Sequence, residues 1–250
     1  MKKIIFCFLS VLFALNMEAQ NFSFKSFGVG TSVNNTNMIL GKTDNFTQPR
    51  GTATTVQAGL SYGFNVDATF SISKRLNLNV GAAFNTFNFK QSTTGLMWGV
   101  DNDNGTYSPS ITALKSNMTN LNIPVKAEFI LSKMSGLAFG IAPSFRLDKK
   151  ADLTITRIST NKVLDGFGEF IPVKSLNLIG SISYIQRIKL TDKVNLKLEP
   201  IVSLHLLGDE LYLSYTSNRF YQLGINVGIE FQKLSKREND KATKKKIGGS

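Results

Sequence analysis

From Val56 to Ile72 the chain alternates without a break. Val56, Ala58, Leu60, Tyr62, Phe64, Val66, Ala68, Phe70 and Ile72 stand against Gln57, Gly59, Ser61, Gly63, Asn65, Asp67, Thr69 and Ser71. Period two is the signature of a β-strand. Ser73-Lys74-Arg75 then reverses the chain, and Leu76, Leu78, Val80 and Ala82 resume the alternation, which predicts a hairpin. The hairpin is expected to end near Phe89, where Phe87 and Phe89 change phase as if a bulge lay at the rim.

The same pattern predicts a first strand over Phe22 to Val33, a polar connection over Asn34 to Arg50, and a long loop over Gln91 to Asn117. A second hairpin turns at Ser132 to Ser135 and a third at Thr191-Asp192-Lys193. Between them Asp148 to Val173 reads as another long loop, with Leu153 to Ile155 able to extend a hairpin outward. A shorter loop, Gly208 to Arg219, leads to a last strand carrying Tyr221, Leu223, Ile225, Val227, Ile229 and Phe231. Lys74, Lys133 and Asp192 mark tight turns spaced 59 residues apart, so a double-strand unit repeats. Short turns at one end and long loops at the other predict an all-β fold. It is an eight-stranded up-and-down antiparallel transmembrane β-barrel with short periplasmic turns and long extracellular loops. Ten strands are the alternative count.

Alternation alone leaves open whether the apolar face points in, as in a soluble lipocalin-like carrier, or out. The polar face favours the membrane barrel, because it is crowded with Gly, Ser and Asn rather than the Lys and Glu of a solvated surface. Lys126, Arg146, Arg187 and Lys197 face Asp67, Glu128, Glu199 and Glu230 on it. Six of these, Asp67, Lys126, Glu128, Arg187, Lys197 and Glu199, fall four to seven residues from their turns and predict a salt-bridged lumen plug. On the apolar face Phe70, Phe129, Phe139 and Phe231 lie near the turns, and Tyr62, Phe84, Phe145 and Tyr221 farther along. They make two aromatic belts about 20 Å apart. Pro124, Pro143 and Pro200 conflict with a closed ladder, because each lacks a donor where no sheet edge exists.

Lys2, Lys3, the apolar run Ile4 to Leu15 and Ala19 have the layout of a secretory signal peptide at 1–19. The barrel is then expected over 20–231 and a basic periplasmic tail over 232–250. The single cysteine, Cys7, lies in the leader, so no disulfide is expected in the mature chain. Formal net charge is +12, and the tail, with seven Lys or Arg against two acids, holds five of it. Within the tail, Lys241, Lys244, Lys245 and Lys246 are candidate contacts for an anionic leaflet or a partner.

Leu121-Asn122-Ile123-Pro124-Val125-Lys126-Ala127-Glu128-Phe129 resembles the Leu-x-Ile-Pro-Leu strand of PorT-like outer-membrane barrel proteins, small barrels of Bacteroidota-type bacteria. The resemblance covers roughly residues 20–231 and implies a bacterial outer-membrane location, with some members serving a protein-secretion apparatus. The Phe231-terminated last strand resembles the signal read by the barrel-assembly machinery, an expected partner alongside outer-membrane lipid and a further protein. The 19-residue basic tail departs from the family pattern.

Little in the sequence suggests catalysis. His205, the only histidine, is expected on the lumen face beside Ser203, where a lipid-modifying enzyme would need an aligned nucleophile and orienting group. Asp101-Asn102-Asp103-Asn104-Gly105 resembles the start of a calcium loop, but Thr112 stands where a bidentate Glu is needed. No metal, cofactor or nucleic acid is expected. The reading is a non-enzymatic barrel with a structural, assembly or secretion-associated role through its loops or tail. The alternatives are a lipid-modifying enzyme, a small channel, or the soluble carrier.

Overall fold

The computed structural model describes residues 22–39, 53–100, 107–157, 163–164, 175–207, 209–210 and 217–233. The leader, the Asp101 to Gly105 segment and the four tail lysines lie outside these residues. The elements are β1 (Ser23–Ile39), β2 (Ala53–Ser73), β3 (Leu76–Val100), β4 (Tyr107–Asn122), β5 (Val125–Ile130) and β6 (Ser135–Arg157). They continue with β7 (Val163–Leu164), β8 (Leu176–Lys189), β9 (Val194–His205), β10 (Asp209–Glu210) and β11 (Ser217–Gln232).

The ladders run β1-β2-β3, then β4 with β5, then β6-β8-β9-β11, and β11 pairs antiparallel with β1 from Ser26↔Gln232 to Ile39↔Arg219. The ring is closed through eight staves. β4 and β5 form one stave, because the register is the same on both sides of Ile123-Pro124. Asn122 faces Ala83 and Ser144, and Val125 faces Val80 and Ile141. Pro124 thus opens the ladder without shifting it, and its carbonyl still accepts from Gly81 N at 3.0 Å. Pro143 likewise accepts from Ile123 N at 3.0 Å, and Pro200 holds register opposite Ile225. The prolines cost single donors and leave the closure intact.

Several strands are longer than their patterns suggest. β1 continues past Val33 to Ile39, while β3 and β4 stay paired through the expected Gln91 to Asn117 loop, from Gln91↔Leu114 to Val100↔Tyr107. β6 runs on to Arg157 and takes in Leu153 to Ile155, with β7 paired against Ile155 and Thr156. The Gly208 to Arg219 loop contains β10, paired to the start of β11. These segments are rich in Ser, Thr and Asn on both faces, so apolar periodicity fades while the backbone still pairs. Beyond the ring, β2, β3, β4 and β6 stand as a taller wall on one side.

Phe87 and Phe89 do not change phase. Asn77, Asn79, Ala83, Phe87, Phe89, Gln91 and Thr93 are all buried at odd positions of β3, so one face runs inward throughout and only its chemistry changes. The irregularity lies across from it on β2, where the β2–β3 register shifts between Ala58 and Gly63. Side chains mend the interrupted ladder. Tyr62 N donates to Thr86 Oγ1 at 3.0 Å, Thr86 Oγ1 to Tyr62 O at 3.2 Å, and Asn88 Nδ2 to Leu60 O at 2.7 Å. Gly59 is needed there, since a Cβ would sit 1.8 Å from the Asn88 carbonyl oxygen. Gly59→Val is expected to cost about 1–3 kcal/mol through this overpacking, read from a lower denaturant midpoint of the refolded barrel.

Candidate functional site

The inward-facing residues fill the lumen in layers, and the layers determine what the molecule can do. Nearest the tight turns, Arg187 of β8 reaches across the ring to two acids. Its Nη1 and Nη2 fork onto the two Glu128 oxygens of β5, the second at 3.0 Å, while Nε donates to Glu230 Oε2 of β11 at 2.6 Å. Asn77 and Asn79 donate to Glu128 Oε2 at 3.1 and 3.3 Å, and Ser26 donates to Glu230. One step higher, Lys126 Nζ meets Glu199 Oε1 at 2.5 Å, and Ser183 donates to the same oxygen at 2.7 Å. Lys197 bridges Asp67 at 3.1 Å and Glu199 at 3.7 Å, and Asn226 Nδ2 donates to Glu199 at 3.3 Å.

The structure therefore brings together Asp67, Lys126, Glu128, Arg187, Lys197 and Glu199, and adds Glu230, which the grouping by height left out. β11 adjoins none of the three tight turns, so that count does not reach Glu230, but its pairing with β9 brings Glu230 to Arg187. Arg146 does not join. It lies higher on β6, with Nε 3.4 Å from Asn120 Oδ1. Three bases thus face four carboxylates, and half-buried Lys25 sits below them, repelled by Arg187 and attracted by Glu128 and Glu230. Glycines make the space for these long side chains. A Cβ on Gly136 would lie 2.7 Å from Glu128 Oε1, and one on Gly140 would lie 2.6 Å from Lys126 Cγ. A contrasting pair lies outside the barrel, where Lys189 Nζ is 2.6 Å from exposed Asp192 and holds that carboxyl below its usual range. Such surface pairs contribute little to stability.

Above the charges is a cavity of about 90 Å³ walled by Asn34, Asn65, Asn85, Asn122, Gln222 and Asn226, among others. Over it, Thr36 and Ser61 hydroxyls lie 2.7 Å apart, and Gln222 Nε2 donates to Thr36 at 2.8 Å. Higher still the lumen turns apolar. Phe87, Phe89, Phe220, Met118 and Ile155 are at most 1% exposed. Phe89 and Phe220 rings are 4.9 Å apart, and His205, fully buried, is held edge-on between Phe87 at 5.0 Å and Phe220 at 5.6 Å. Gln91, 1% exposed, has neither amide atom hydrogen-bonded among the described residues. The odd-position parity from Asn77 onward was the signal that could have located this layer in the sequence.

Outside, the pattern inverts that of a water-soluble domain. Phe27, Leu60, Tyr62, Phe64, Phe84, Phe129, Phe139, Phe145, Ile182, Leu223, Ile225 and Phe231 are each between 40% and 54% exposed around the ring. Phe129 and Phe139 pair edge to face at 6.1 Å near the turns, and Tyr62 and Phe84 stand at the other margin. A closed ring with its backbone satisfied, its polar groups inside and an apolar band outside is built for lipid. The chain is an outer-membrane β-barrel. The same geometry excludes the soluble carrier, whose apolar face would line the lumen.

No protein-family model and no curated protein sequence matches the chain. Among solved structures it is similar to Ail, the attachment invasion locus protein of Yersinia pestis, at 8% identity. That match covers 84% of this chain and 99% of that chain, with a TM-score of 0.37. It is also similar to Neisserial surface protein A, NspA, at 10% identity over 83% and 97% of the two chains, TM-score 0.35. The outer membrane protein OprG of Pseudomonas aeruginosa matches at 10% identity over 87% and 99%, TM-score 0.39. At these values no residue role passes from them to this barrel.

Two substitutions separate the two lumen layers. Arg187→Met strands Glu128 and Glu230 as unpaired buried charges and is expected to cost about 3–5 kcal/mol. Phe87→Ala opens a void in the aromatic layer, at about 3–5 kcal/mol. Both are read as lower midpoints in reversible urea unfolding from lipid vesicles. Ile225→Arg, on the outer band, is expected to lose about 2–4 kcal/mol in the same assay.

Proposed function

We propose that this barrel is a non-conducting, non-enzymatic outer-membrane scaffold that binds another protein component through the wall it raises beyond the ring. The observation carrying this reading is that the lumen is filled twice, by the Arg187 and Lys197 ion pairs below and by the Phe87, Phe89 and Phe220 layer above. The space left between them, about 90 Å³, is well short of the roughly 300 Å³ at which ligand pockets begin. With the interior spent on packing, the external surfaces are what remain for recognition. The paired backbone of β2, β3, β4 and β6 offers a rigid platform there, with Lys90 and Lys115 exposed and directly opposite each other. Like charges in that position disfavour the isolated sheet, and an acidic partner surface relieves the repulsion.

The PorT-like resemblance of Leu121 to Phe129 supports an assembly or secretion setting for this role. The basic tail, through Lys241, Lys244, Lys245 and Lys246, is a second contact in the proposal. His205 acts in it as a packing residue, its ring held edge to face between Phe87 and Phe220.

Purified barrel in a planar bilayer is expected to give no steady single-channel current. Crosslinking in intact cells is expected to trap one defined protein on the wild type and to lose it on Lys90→Glu/Lys115→Glu. A steady conductance, or an undiminished crosslink on that variant, sinks the reading. His205→Ala is expected to leave lipid composition unchanged in purified outer membranes. A change there favours the enzyme instead.

A further inference from the structure

We propose that the periplasmic rim is a ring-shaped binding surface for anionic phospholipid headgroups. Its bases are Lys74 and Arg75 on the β2–β3 turn, Lys133 on the β5–β6 turn, Lys189 and Lys193 at the β8–β9 turn, and Lys233 where β11 meets β1. All six are exposed. Among the described residues, the one exposed acid at this rim is Asp192, and it faces Lys189.

Four features make these charges a surface rather than scattered side chains. Backbone bonds fix the corners to one another. Arg75 O accepts from Ile130 N at 2.9 Å, Met134 O from Arg187 N at 2.7 Å, Lys193 O from Gln232 N at 2.8 Å, and Lys25 O from Lys233 N at 2.9 Å. The corners fall at the β2–β3, β5–β6, β8–β9 and β11–β1 junctions, every second seam of the eight-stave ring. Charge is therefore spread around the whole circumference. A soluble partner touches one side of such a ring, whereas a leaflet surrounds all of it.

Height is the third feature. Lys74 and Lys133 each lie four residues beyond a belt aromatic, Phe70 and Phe129, which places them about 10 Å past the apolar band, in the headgroup region. The fourth is local apolar contact. Leu131 and Leu190, at 64% and 54% exposure, flank Lys133 and Lys189, so the aliphatic stems lie along lipid while the ammonium groups reach phosphate. This inference is independent of what the extracellular wall binds, and a conducting barrel would leave it standing.

The test uses the full chain reconstituted in vesicles with spin-labelled phosphatidylglycerol or phosphatidylcholine, counting motionally restricted lipid at the barrel surface. The wild type is expected to favour phosphatidylglycerol severalfold, with the preference shrinking as salt is raised. The variant Lys74→Gln/Arg75→Gln/Lys133→Gln/Lys193→Gln/Lys233→Gln is expected to lose the preference while keeping its heat-dependent gel shift, which reports the folded barrel. A second variant, Lys241→Gln/Lys244→Gln/Lys245→Gln/Lys246→Gln, is expected to retain it. The proposal is overturned if the rim variant keeps the preference, if the tail variant alone abolishes it, if salt leaves it unchanged, or if the wild type shows none.

Discussion

The pairing of β1 with β11 is the constraint on which everything else rests. In hydrocarbon an unpaired backbone N–H or C=O costs several kcal/mol, so a sheet survives there only when it has no edge. Closure through fourteen register pairs, from Ser26↔Gln232 to Ile39↔Arg219, removes both edges at once. It also sets the diameter. Eight staves leave an interior just wide enough for side chains, and the lumen composition follows from that width.

Filling a narrow lumen with polar groups creates an electrostatic problem, and the ring solves it by bracing. Arg187 ties β8 to β5 and β11, Lys126 ties β5 to β9, and Lys197 ties β9 to β2. Each link joins staves that are not neighbours, so the ion pairs hold the cross-section from inside while the ladders hold it along the wall. Gly136 and Gly140 give the carboxylate and the ammonium stems room, and Asn77, Asn79, Ser183 and Asn226 add second donors to the oxygens of Glu128 and Glu199. Desolvated charges become tolerable only with partners of this kind. In the layer above, the Phe87, Phe89 and Phe220 rings fill the opposite end through burial and dispersion.

These two packed layers occupy most of the lumen. One end raises paired strands beyond the band, and the other carries a ring of bases at headgroup height. The barrel is thereby polarised along its axis, with a wall of paired strands at one margin and a collar of exposed bases at the other.

The strands, the three tight turns and the outward direction of the apolar face were legible in the sequence, because period-two alternation is a local property and a small-residue polar face suits only a narrow interior. The inward residues of β11, Gln222, Gly224, Asn226, Gly228 and Glu230, were legible on the same basis, whereas the inward Ile179 and Ile185 of β8 were not. Register was not local. That Glu230 meets Arg187, that Arg146 stays apart near Asn120, and that Pro124 interrupts a stave without breaking it depend on which strands become neighbours when the ring closes. Phe87 and Phe89 show the limit most clearly. Their parity with Asn77 was present in the sequence, yet large apolar side chains on a polar face read as a change of phase. Only the packing of Phe220 and His205 from β11 and β9 against them makes an apolar lumen layer stable, since a ring buries what a single strand would expose.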